Sequence, residues 1–490
     1  MINKNNVAIV HAKDFEYYPN NTNFHPSARY PEYLFKELSN KKNHVYESVR
    51  KLFFVMGLDK KNYGTIKWNP LKELIKPGDK VVLKPNMVLH FNASGEDFNA
   101  VVTHGSVLRA VADYVLIALK DRGELVICDA PQMNCDFNKL IELNGFKFIL
   151  DFYKKYYEDK NIKISLLDLR KEMTIYKHGL VWKRKPLKGD PLGYKIIDLG
   201  KNSEVVGVNP TKLYGADYDR SKTINAHSSG HHKYCISDTV LDSDVFISIP
   251  KMKVHRKAGV TLNLKNVVGI CGDKNYLVHY RVGSPEYGGD EFSEVSILTK
   301  LDRTIKDLLL SRYWSIGRYP FSLWVHIIRI RGILQKIFIN KEIYIAGDWS
   351  GNDTVWRMAL DLNKIILYAD KNGNMKNNQQ RKYFSVIDGF IGGEKEGPLG
   401  PSPVKSGIVI GGFNSVLVDV VATRMMGLDI NKIPLMKYCW NPRSYKLTTF
   451  KKEDIKIRSN EISWINILYN ESTVPFRFYP SQGWKGHIEL

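Results

Sequence analysis

The chain has 490 residues, 43% of them hydrophobic, and its 72 lysines and arginines against 51 aspartates and glutamates give a formal net charge of +21. This length suits one large α/β domain with insertions or two domains, and the charge predicts attraction to phosphate, acidic sugars or anionic lipid. The five cysteines are scattered and form no CxxC pair, which argues against a disulfide scaffold, a structural zinc site and an iron–sulfur cluster.

The first half of the chain predicts a parallel sheet. NVAIVHA from Asn6 is typical of a first strand, and its apolar run is too short for a signal peptide. Residues 80–85 and 124–129 predict buried strands, and the segment between them predicts a helix with Thr103 as its N-cap. A strand–helix–strand unit of this kind forms a parallel pair by a crossover connection. Residues 154–200 are charged and irregular, which indicates a peripheral insertion.

The second half continues the same pattern. The β-branched run 245–249 predicts a buried strand that ends at Pro250, followed by a cationic loop. FSVIDGFIGG predicts a strand entering a glycine turn, and IVIGGFNSVLVDVVATRMMG predicts strand, turn and helix. We therefore expect an α/β fold: a mostly parallel sheet with helices on both faces, plus peripheral insertions. The expected division is an extension at 1–75, a core at 76–430 with insertions at about 154–200 and 311–340, and a tail at 431–490 packed on the core.

Residues 313–339 form a basic, apolar segment flanked by tryptophans. Leu323, Ile327 and Ile330 recur at helical spacing, and Leu334 and Phe338 continue that face. Such a helix suits a peripheral contact with an anionic membrane surface, and it equally suits a helix packed on the core or covering a site. Arginines and glycines interrupt it too often for a membrane span.

The most informative stretch is DVFISIPKMKVHRKAGVTLNLKNVVGICG, from Asp244 to Gly272. A buried strand that delivers several cations, a histidine and glycines into one loop is typical of an anion site outside the carboxyl ends of parallel strands. Lys251, Lys253 and His255 alternate along an extended segment, so we expect them to share one face. We also expect Lys253 to be exposed, and its replacement to leave the fold intact while weakening anion binding.

Several other strand ends are predicted to converge on the same edge of the sheet. The residues that we expect to hold an anionic substrate are Lys84, Asn86, Thr103, Lys251, Lys253, Lys265, Asn266, Gly392, Gly393 and Glu394. The residues that we expect to carry acid–base chemistry, or to position it, are His104, His232, His255, Asp129 and Asp388. An alternative interpretation is that Asn86, Asp129 and Asp388 are structural residues that only form hydrogen bonds with nearby backbone groups.

The motif HSSGHHKYCIS places His227, His231 and His232 in one short loop. Clustered imidazoles bind transition metals, so these three histidines are the candidate ligands if a divalent metal is present. Substrate contact, proton transfer and a structural role explain them as well. No Walker loop, GxGxxG fingerprint, GxSxG elbow or HExxH motif is present, which leaves nucleotide, serine-hydrolase and zincin functions without support.

PKMKVHRKAGVTLNLKNVVG resembles the signature of the domain-of-unknown-function 362 family. Three further segments fit that family in the same order, namely VVLKPNMV from Val81, VVTHGSVLRAV from Val101, and the late pair VIDGFIGGEKEGPLGPSPVKSG and GGFNSVLVDVVATRMMG. The resemblance covers roughly 81–427 and is that of a long form without the cysteine-rich ferredoxin module that many relatives carry. It implies an α/β fold rather than a particular reaction.

We expect an enzyme that acts on a phosphorylated or otherwise anionic metabolite in a reducing cytoplasm. Because the ending GWKGHIEL is similar to long relatives encoded near glycosyltransferases, the resemblance suggests surface-glycan or lipid-linked sugar metabolism. One alternative is a metalloenzyme like the nickel-pincer lactate racemases, and another is a non-enzymatic protein that binds anionic lipid at the inner membrane surface. The sequence lacks the common nucleic-acid-binding signatures, so we do not expect a nucleic-acid partner.

Overall fold

The computed structural model describes residues 3–20, 23–177, 180–216, 219–293, 346–470 and 472–490, together with a few positions between 301 and 330. The strands within these residues, in chain order, are β1 (Asn6–His11), β2 (Lys80–Pro85), β3 (Gly123–Asp129), β4 (Ile162–Asp168), β5 (Glu172–Lys177), β6 (Leu180–Pro186), β7 (Tyr194–Asp198), β8 (Leu213–Gly215), β9 (Lys233–Ser237), β10 (Val245–Ile249), β11 (Lys251–His255), β12 (Gly259–Val260), β13 (Val278–Arg281), β14 (Lys382–Glu396), β15 (Gly400–Gly412) and β16 (Lys456–Ser459).

The helices in the same part of the chain are α1 (His44–Val55), α2 (Gly105–Leu119), α3 (Phe137–Leu143), α4 (Phe146–Tyr156), α5 (Arg220–Ala226), α6 (Asp238–Leu241), α7 (Leu262–Asn266), α8 (Val355–Tyr368), α9 (Ser415–Met425) and α10 (Pro434–Tyr438).

One large sheet organises the molecule. Among the described residues it has ten strands, in the order β16-β1-β15-β14-β10-β2-β3-β4, with β11 paired to β14 and β12 paired to β11. The central run from β14 through β10, β2 and β3 to β4 is parallel, whereas β15 is antiparallel to both of its neighbours. The expected α/β fold with a mostly parallel sheet is confirmed.

Both faces of this sheet are covered, because successive residues of a strand point to opposite sides. Val81 and Leu83 of β2 belong to the core formed with α1, α2 and α4, while Val82 belongs to the core formed with α7, α8 and α9. The unbroken apolar runs of β2, β3 and β10 follow from this arrangement, since each strand is buried on both faces. The expected helices on both faces are confirmed.

The sheet extends beyond the predicted core. Residues 162–168, expected to be irregular, form β4 and pair in parallel with β3. The tail supplies β16, which pairs in parallel with β1 from the N-terminal extension. All three predicted segments therefore contribute strands to one sheet, because each edge strand satisfies backbone groups that the core strands leave open.

Two turn predictions were also wrong. The cationic loop after Pro250 is strand β11, and the glycine turn near the end of β14 is absent because β14 runs on to Glu396 and pairs with β15. The N-cap of α2 is His104 and not Thr103, because the His104 side chain accepts the Ser106 N–H.

Most of the amphipathic segment 313–339 lies outside the described residues. No helix in the described part is both long and apolar enough to cross a membrane.

Candidate functional site

A cavity of about 250 Å³ opens at the carboxyl ends of β2 and β3, beside the start of α7. Its charged and histidine lining residues are Lys84, Asp129, His255, Arg256, Lys257, Lys265, Lys274, His279 and Asp348. Parallel strands bring their carboxyl ends to one edge of the sheet, which is where open α/β proteins bind ligands. Six of the residues predicted to belong to the site line this cavity, namely Lys84, Asn86, Asp129, His255, Lys265 and Asn266.

The floor of the cavity is a buried ion pair. Lys84 Nζ lies 2.8 Å from Asp129 Oδ1 and donates to Asn266 Oδ1 at 3.0 Å. Asn266 Nδ2 donates back to the Lys84 carbonyl at 2.9 Å, so helix α7 is tied to the end of β2. Gly269 packs directly over the pair, and a Cβ at this position would collide with the Asp129 carboxylate. The pair is fixed by its surroundings and has little freedom to move toward a ligand.

Lys265 differs from the other lysines of the cavity. Its side chain is buried, yet in the described part of the chain no hydrogen-bond or ion-pair partner of its amine is found. Burial, together with the nearby cations Lys274, Lys257 and Lys84, lowers the pKa of Lys265 to about 7. The neutral form of this amine is therefore more accessible near neutral pH than that of an ordinary lysine. An anion that enters the cavity would place the first opposite charge beside it.

Lys274 and the outer wall complete the positive field. Lys274 Nζ donates to the Ala130 carbonyl at 2.7 Å, and burial lowers its pKa to about 8. At the rim, Asp348 forms ion pairs with Lys257 at 2.6 Å and with Arg256 at 3.5 Å. Among the described lining residues, five cationic side chains face two carboxylates. The cavity therefore attracts anions.

Two histidine side chains line the same cavity, and their hydrogen bonds leave one with a proton donor and the other with a proton acceptor on Nε2. His255 Nδ1 accepts the backbone N–H groups of Lys257 at 3.0 Å and Ala258 at 3.2 Å, which leaves the proton on Nε2. His279 Nδ1 lies 3.4 Å from the Leu277 carbonyl and donates to it, which leaves a free lone pair on Nε2. Burial and nearby Lys265 hold the pKa of both histidines well below the usual value. Both rings are neutral at pH 7, one as a proton donor and one as an acceptor.

The helix that presents Lys265 is capped from a distant part of the chain. The residue before α7, Thr261, makes no side-chain cap, and Leu262 adopts a left-handed φ of 40°. The carboxylate of Asp419, on α9, accepts the N–H groups of Asn263 at 2.9 Å and Leu264 at 2.7 Å. This contact satisfies the orphan donors of the first turn and holds the strained start of the helix.

The structure places another set of predicted residues in a separate, closed cluster. Lys251 Nζ lies 2.8 Å from Asp388 Oδ2, and the hydroxyl of Tyr18 donates to Asp388 Oδ1 at 2.5 Å. His104 stacks on Tyr18, and its backbone N–H donates to Asp388. Lys251 and Asp388 are fully buried and do not line the cavity. Their geometry is that of a structural ion pair that joins the N-terminal extension to the sheet.

Lys253 is also buried, which corrects the expectation that it is exposed. Its amine donates to the carbonyls of Val101 at 2.5 Å and Pro398 at 3.1 Å. A register irregularity in the pairing of β11 with β14 falls between Lys251 and Lys253, and the two amines reach different partners. Of the three residues predicted to share one face, only His255 lines the cavity.

The remaining predicted residues lie elsewhere. Thr103 accepts the Asn86 N–H and donates to the Ile249 carbonyl, so it ties strand ends together. Gly392 and Gly393 lie inside β14, where Lys253 and Phe478 pack against the backbone. Glu394 accepts the Tyr479 N–H of the tail at 2.9 Å.

The three clustered histidines do not form a three-ligand metal site. His231 pairs with Asp198 at 2.5 Å, whereas His227 Nε2 lies 3.0 Å from the Tyr276 carbonyl. His232 packs beside His227, with ring centroids 5.7 Å apart. Within the residues that the structure describes, no group of three or more His, Cys, Asp or Glu side chains is placed to hold a metal ion.

Five charged or histidine residues of the cavity were not predicted to belong to the site, namely Arg256, Lys257, Lys274, His279 and Asp348. Arg256 and Lys257 lie inside the central motif, directly after His255, and Lys274 lies two residues beyond its end at Gly272. Assigning the site along the whole of that motif and slightly past its end would have included all three. His279 follows it on β13, and its distance from any predicted strand end hid its role. Asp348 was not assigned to the site, because only folding brings its loop against Arg256 and Lys257.

A family model described as "Domain of unknown function (DUF362)" matches residues 196–424. The matched range contains β10, β11, α7, β14 and the capping residue Asp419, whereas Lys84 and Asp129 precede it. Compared with curated proteins, the chain has no match. The central motif and the late pair lie in or at the end of this range, whereas the segments from Val81 and Val101 precede it, and the chain contains a DUF362 domain over residues 196–424.

Proposed function

We propose that the protein is an enzyme that acts on a small phosphorylated or otherwise anionic metabolite bound in the cavity between β2, β3 and α7. The observation that carries the proposal is the uncompensated Lys265 amine within a cavity whose lining is predominantly cationic. Charged donors bind phosphate and carboxylate oxygens more strongly than neutral ones, and burial strengthens the effect. The cavity volume of about 250 Å³ is below the usual range of about 300–1,000 Å³ for drug-sized ligands. A small reacting group fits it best.

Acid–base chemistry is available beside the anion site. A neutral imidazole that donates (His255) and one that accepts (His279) supply both halves of a proton transfer. The resemblance of the ending GWKGHIEL supports surface-glycan or lipid-linked sugar metabolism as the setting, with only the reacting group of a larger substrate inside the cavity. Five buried cysteines without disulfides support a reducing cytoplasm.

Calorimetric titration with inorganic phosphate, pyrophosphate and sugar phosphates tests anion binding. We expect Lys265→Met to weaken binding by about 1–3 kcal/mol, the scale of one charge-assisted hydrogen bond. Lys163→Met is the matched control, because Lys163 is exposed at the start of β4, away from the cavity. Equal affinity in wild type and Lys265→Met would contradict the proposal.

Turnover needs a separate measurement. Purified protein is incubated with a pool of phosphorylated metabolites, and mass spectrometry follows which of them are consumed. We expect consumption to be lost in His255→Ala and kept in Lys163→Met. Binding of phosphate without consumption of any metabolite would leave an anion-binding protein rather than an enzyme.

Docking to an anionic membrane surface is a second candidate function, favoured by three described side chains of the segment 313–339. Leu323, Ile327 and Ile330 are 65%, 54% and 58% exposed. Their spacing places them on one helical face, and the net charge of +21 favours anionic lipid. We expect the triple serine variant to lose sedimentation with phosphatidylglycerol vesicles at low salt, while Ile66→Ser, at a residue 79% exposed elsewhere, keeps it. Unchanged sedimentation of the triple variant would contradict docking by this face.

A further inference from the structure

Six lysines are buried in the described part of the chain, and five of them donate to an oxygen atom. Lys84, Lys251, Lys253, Lys274 and Lys364 each have a carbonyl or carboxylate acceptor within 3.1 Å. Lys265 is the exception, and it lines a cavity. A buried amine that no acceptor holds is available to react with whatever enters that cavity.

The surroundings of Lys265 favour the neutral, nucleophilic form of the amine. Its charged neighbours Lys274, Lys257 and Lys84 are all cations. Burial beside other cationic groups is one of the ways in which proteins turn a lysine into a nucleophile near neutral pH. Lys265 is also the strongest charged neighbour of both imidazoles of the cavity, which places a proton donor and a proton acceptor near the amine.

We propose that Lys265 forms an imine with the carbonyl carbon of a small aldehyde or ketone that carries a phosphate or carboxylate group. The inference rests on the proposed function, since the cationic lining is what selects an anionic carbonyl compound. Lys84, Lys274 and Lys257 attract the anionic group, and Lys265 attacks the carbonyl carbon.

The step balances without an oxidant or reductant. The Lys265 nitrogen forms a bond to the carbonyl carbon while one N–H proton passes to the free lone pair of His279. His279 returns this proton to the alkoxide oxygen, which His255 Nε2–H stabilises by a hydrogen bond, and a carbinolamine results. The second N–H proton then passes through His279 to the hydroxyl oxygen, the C–O bond breaks, the oxygen leaves as water, and a C=N bond joins Lys265 to the substrate. One amine and one carbonyl compound thus give one imine and one water molecule.

Borohydride trapping of the full-length protein tests this inference. The protein is incubated with dihydroxyacetone phosphate or pyruvate, or with uncharged dihydroxyacetone for comparison, then reduced and mapped by peptide mass spectrometry. We expect a secondary amine on Lys265, formed at least tenfold faster than on the exposed Lys163 or on Lys274 in the same cavity. Uncharged dihydroxyacetone is expected to label at least tenfold less, and Lys265→Arg, which keeps the charge, is expected to abolish the label.

A second readout does not depend on the choice of carbonyl compound. Acetylation by trace acetic anhydride at pH 7 is expected to modify Lys265 at least tenfold faster than Lys163. The imine inference is overturned if Lys265 is no more reactive than Lys163, or if neither anionic carbonyl compound is trapped there. Phosphate binding measured by calorimetry separates the two proposals. Phosphate binding without trapping would contradict only the imine inference. The absence of both binding and trapping would contradict the proposed anion site as well.

Discussion

At the scale of single residues, Lys265 is costly for the stability of the fold, since its charge is buried among other cations. The unfolded chain keeps this amine protonated up to the ordinary pKa of 10.5, whereas the folded protein releases the proton near pH 7. The stability cost of burying the charge is therefore complete below pH 7. It is relieved as the pH rises from 7 toward 10.5, because the unfolded state then binds more protons.

Lys265→Met removes this cost and keeps the length of the side chain. We expect the variant to be more stable than wild type at pH 6 by roughly 1–4 kcal/mol, as when buried charges are replaced by apolar groups. The gap is expected to shrink between pH 7 and pH 10. Urea unfolding in buffers without phosphate measures it, with Lys163→Met as the control. A gap that is constant across this range, or a less stable variant at pH 6, would refute the expectation.

At the scale of secondary-structure elements, α7 is the part that presents the site. Five residues are too few for a helix to be stable by itself, so α7 depends on its contacts. Asn266 anchors its end to β2, and Asp419 caps its beginning from α9. The central motif, which contains α7, and the late segment GGFNSVLVDVVATRMMG, which contains Asp419, thus form one structural unit.

Asp419→Asn tests that unit. An amide presents N–H groups where the carboxylate accepts three donors, so we expect a loss of about 1–3 kcal/mol in stability and weaker phosphate binding at Lys265. The same change at the exposed cap of α3, Asp136→Asn, is expected to have little effect, because Asn caps helices as well as Asp. Denaturant unfolding and calorimetry measure both variants. Equal behaviour of the two would show that Asp419 does not hold α7 in place.

At the scale of the whole molecule, the tail completes the site from outside. Trp484 is buried, and its indole N–H donates to the Arg256 carbonyl at 2.6 Å, at the rim of the cavity. The tail strand β16 also covers the edge of the sheet beside β1. The last sixty residues therefore stabilise both the sheet and the turn after β11 that carries Arg256.

We expect Trp484→Ala to lower the free energy of unfolding by about 3–5 kcal/mol, as for other buried aromatic residues, and to weaken phosphate binding. Trp484→Phe keeps most of the packing and loses the hydrogen bond, so its cost is expected to be smaller. Tyr479→Ala is the control, since this tail residue is 62% exposed. Thermal unfolding of the three variants checks the order, and a harmless Trp484→Ala would mean that the tail does not support the cavity.

The sequence by itself determined the core of the sheet and half of the site. Unbroken apolar runs that end at polar residues identify parallel strands, and such strands must bring their last residues together, which is why Lys84, Asp129 and Asn86 were found from spacing. The motif LNLKN identified Lys265 and Asn266 in the same way, through their place after the third strand.

Tertiary structure decided which cations face the cavity. Lys251, Lys253 and Lys265 look equivalent in the sequence, yet the first binds Asp388, the second binds two carbonyls and the third has no partner within the described residues. The difference depends on Tyr18, Val101 and Pro398, which are distant in sequence and meet Lys251 and Lys253 only in the folded chain. The amino-acid sequence shows which side chains carry charge. Burial and partners that are distant in sequence decide whether that charge is paired or remains available for a ligand.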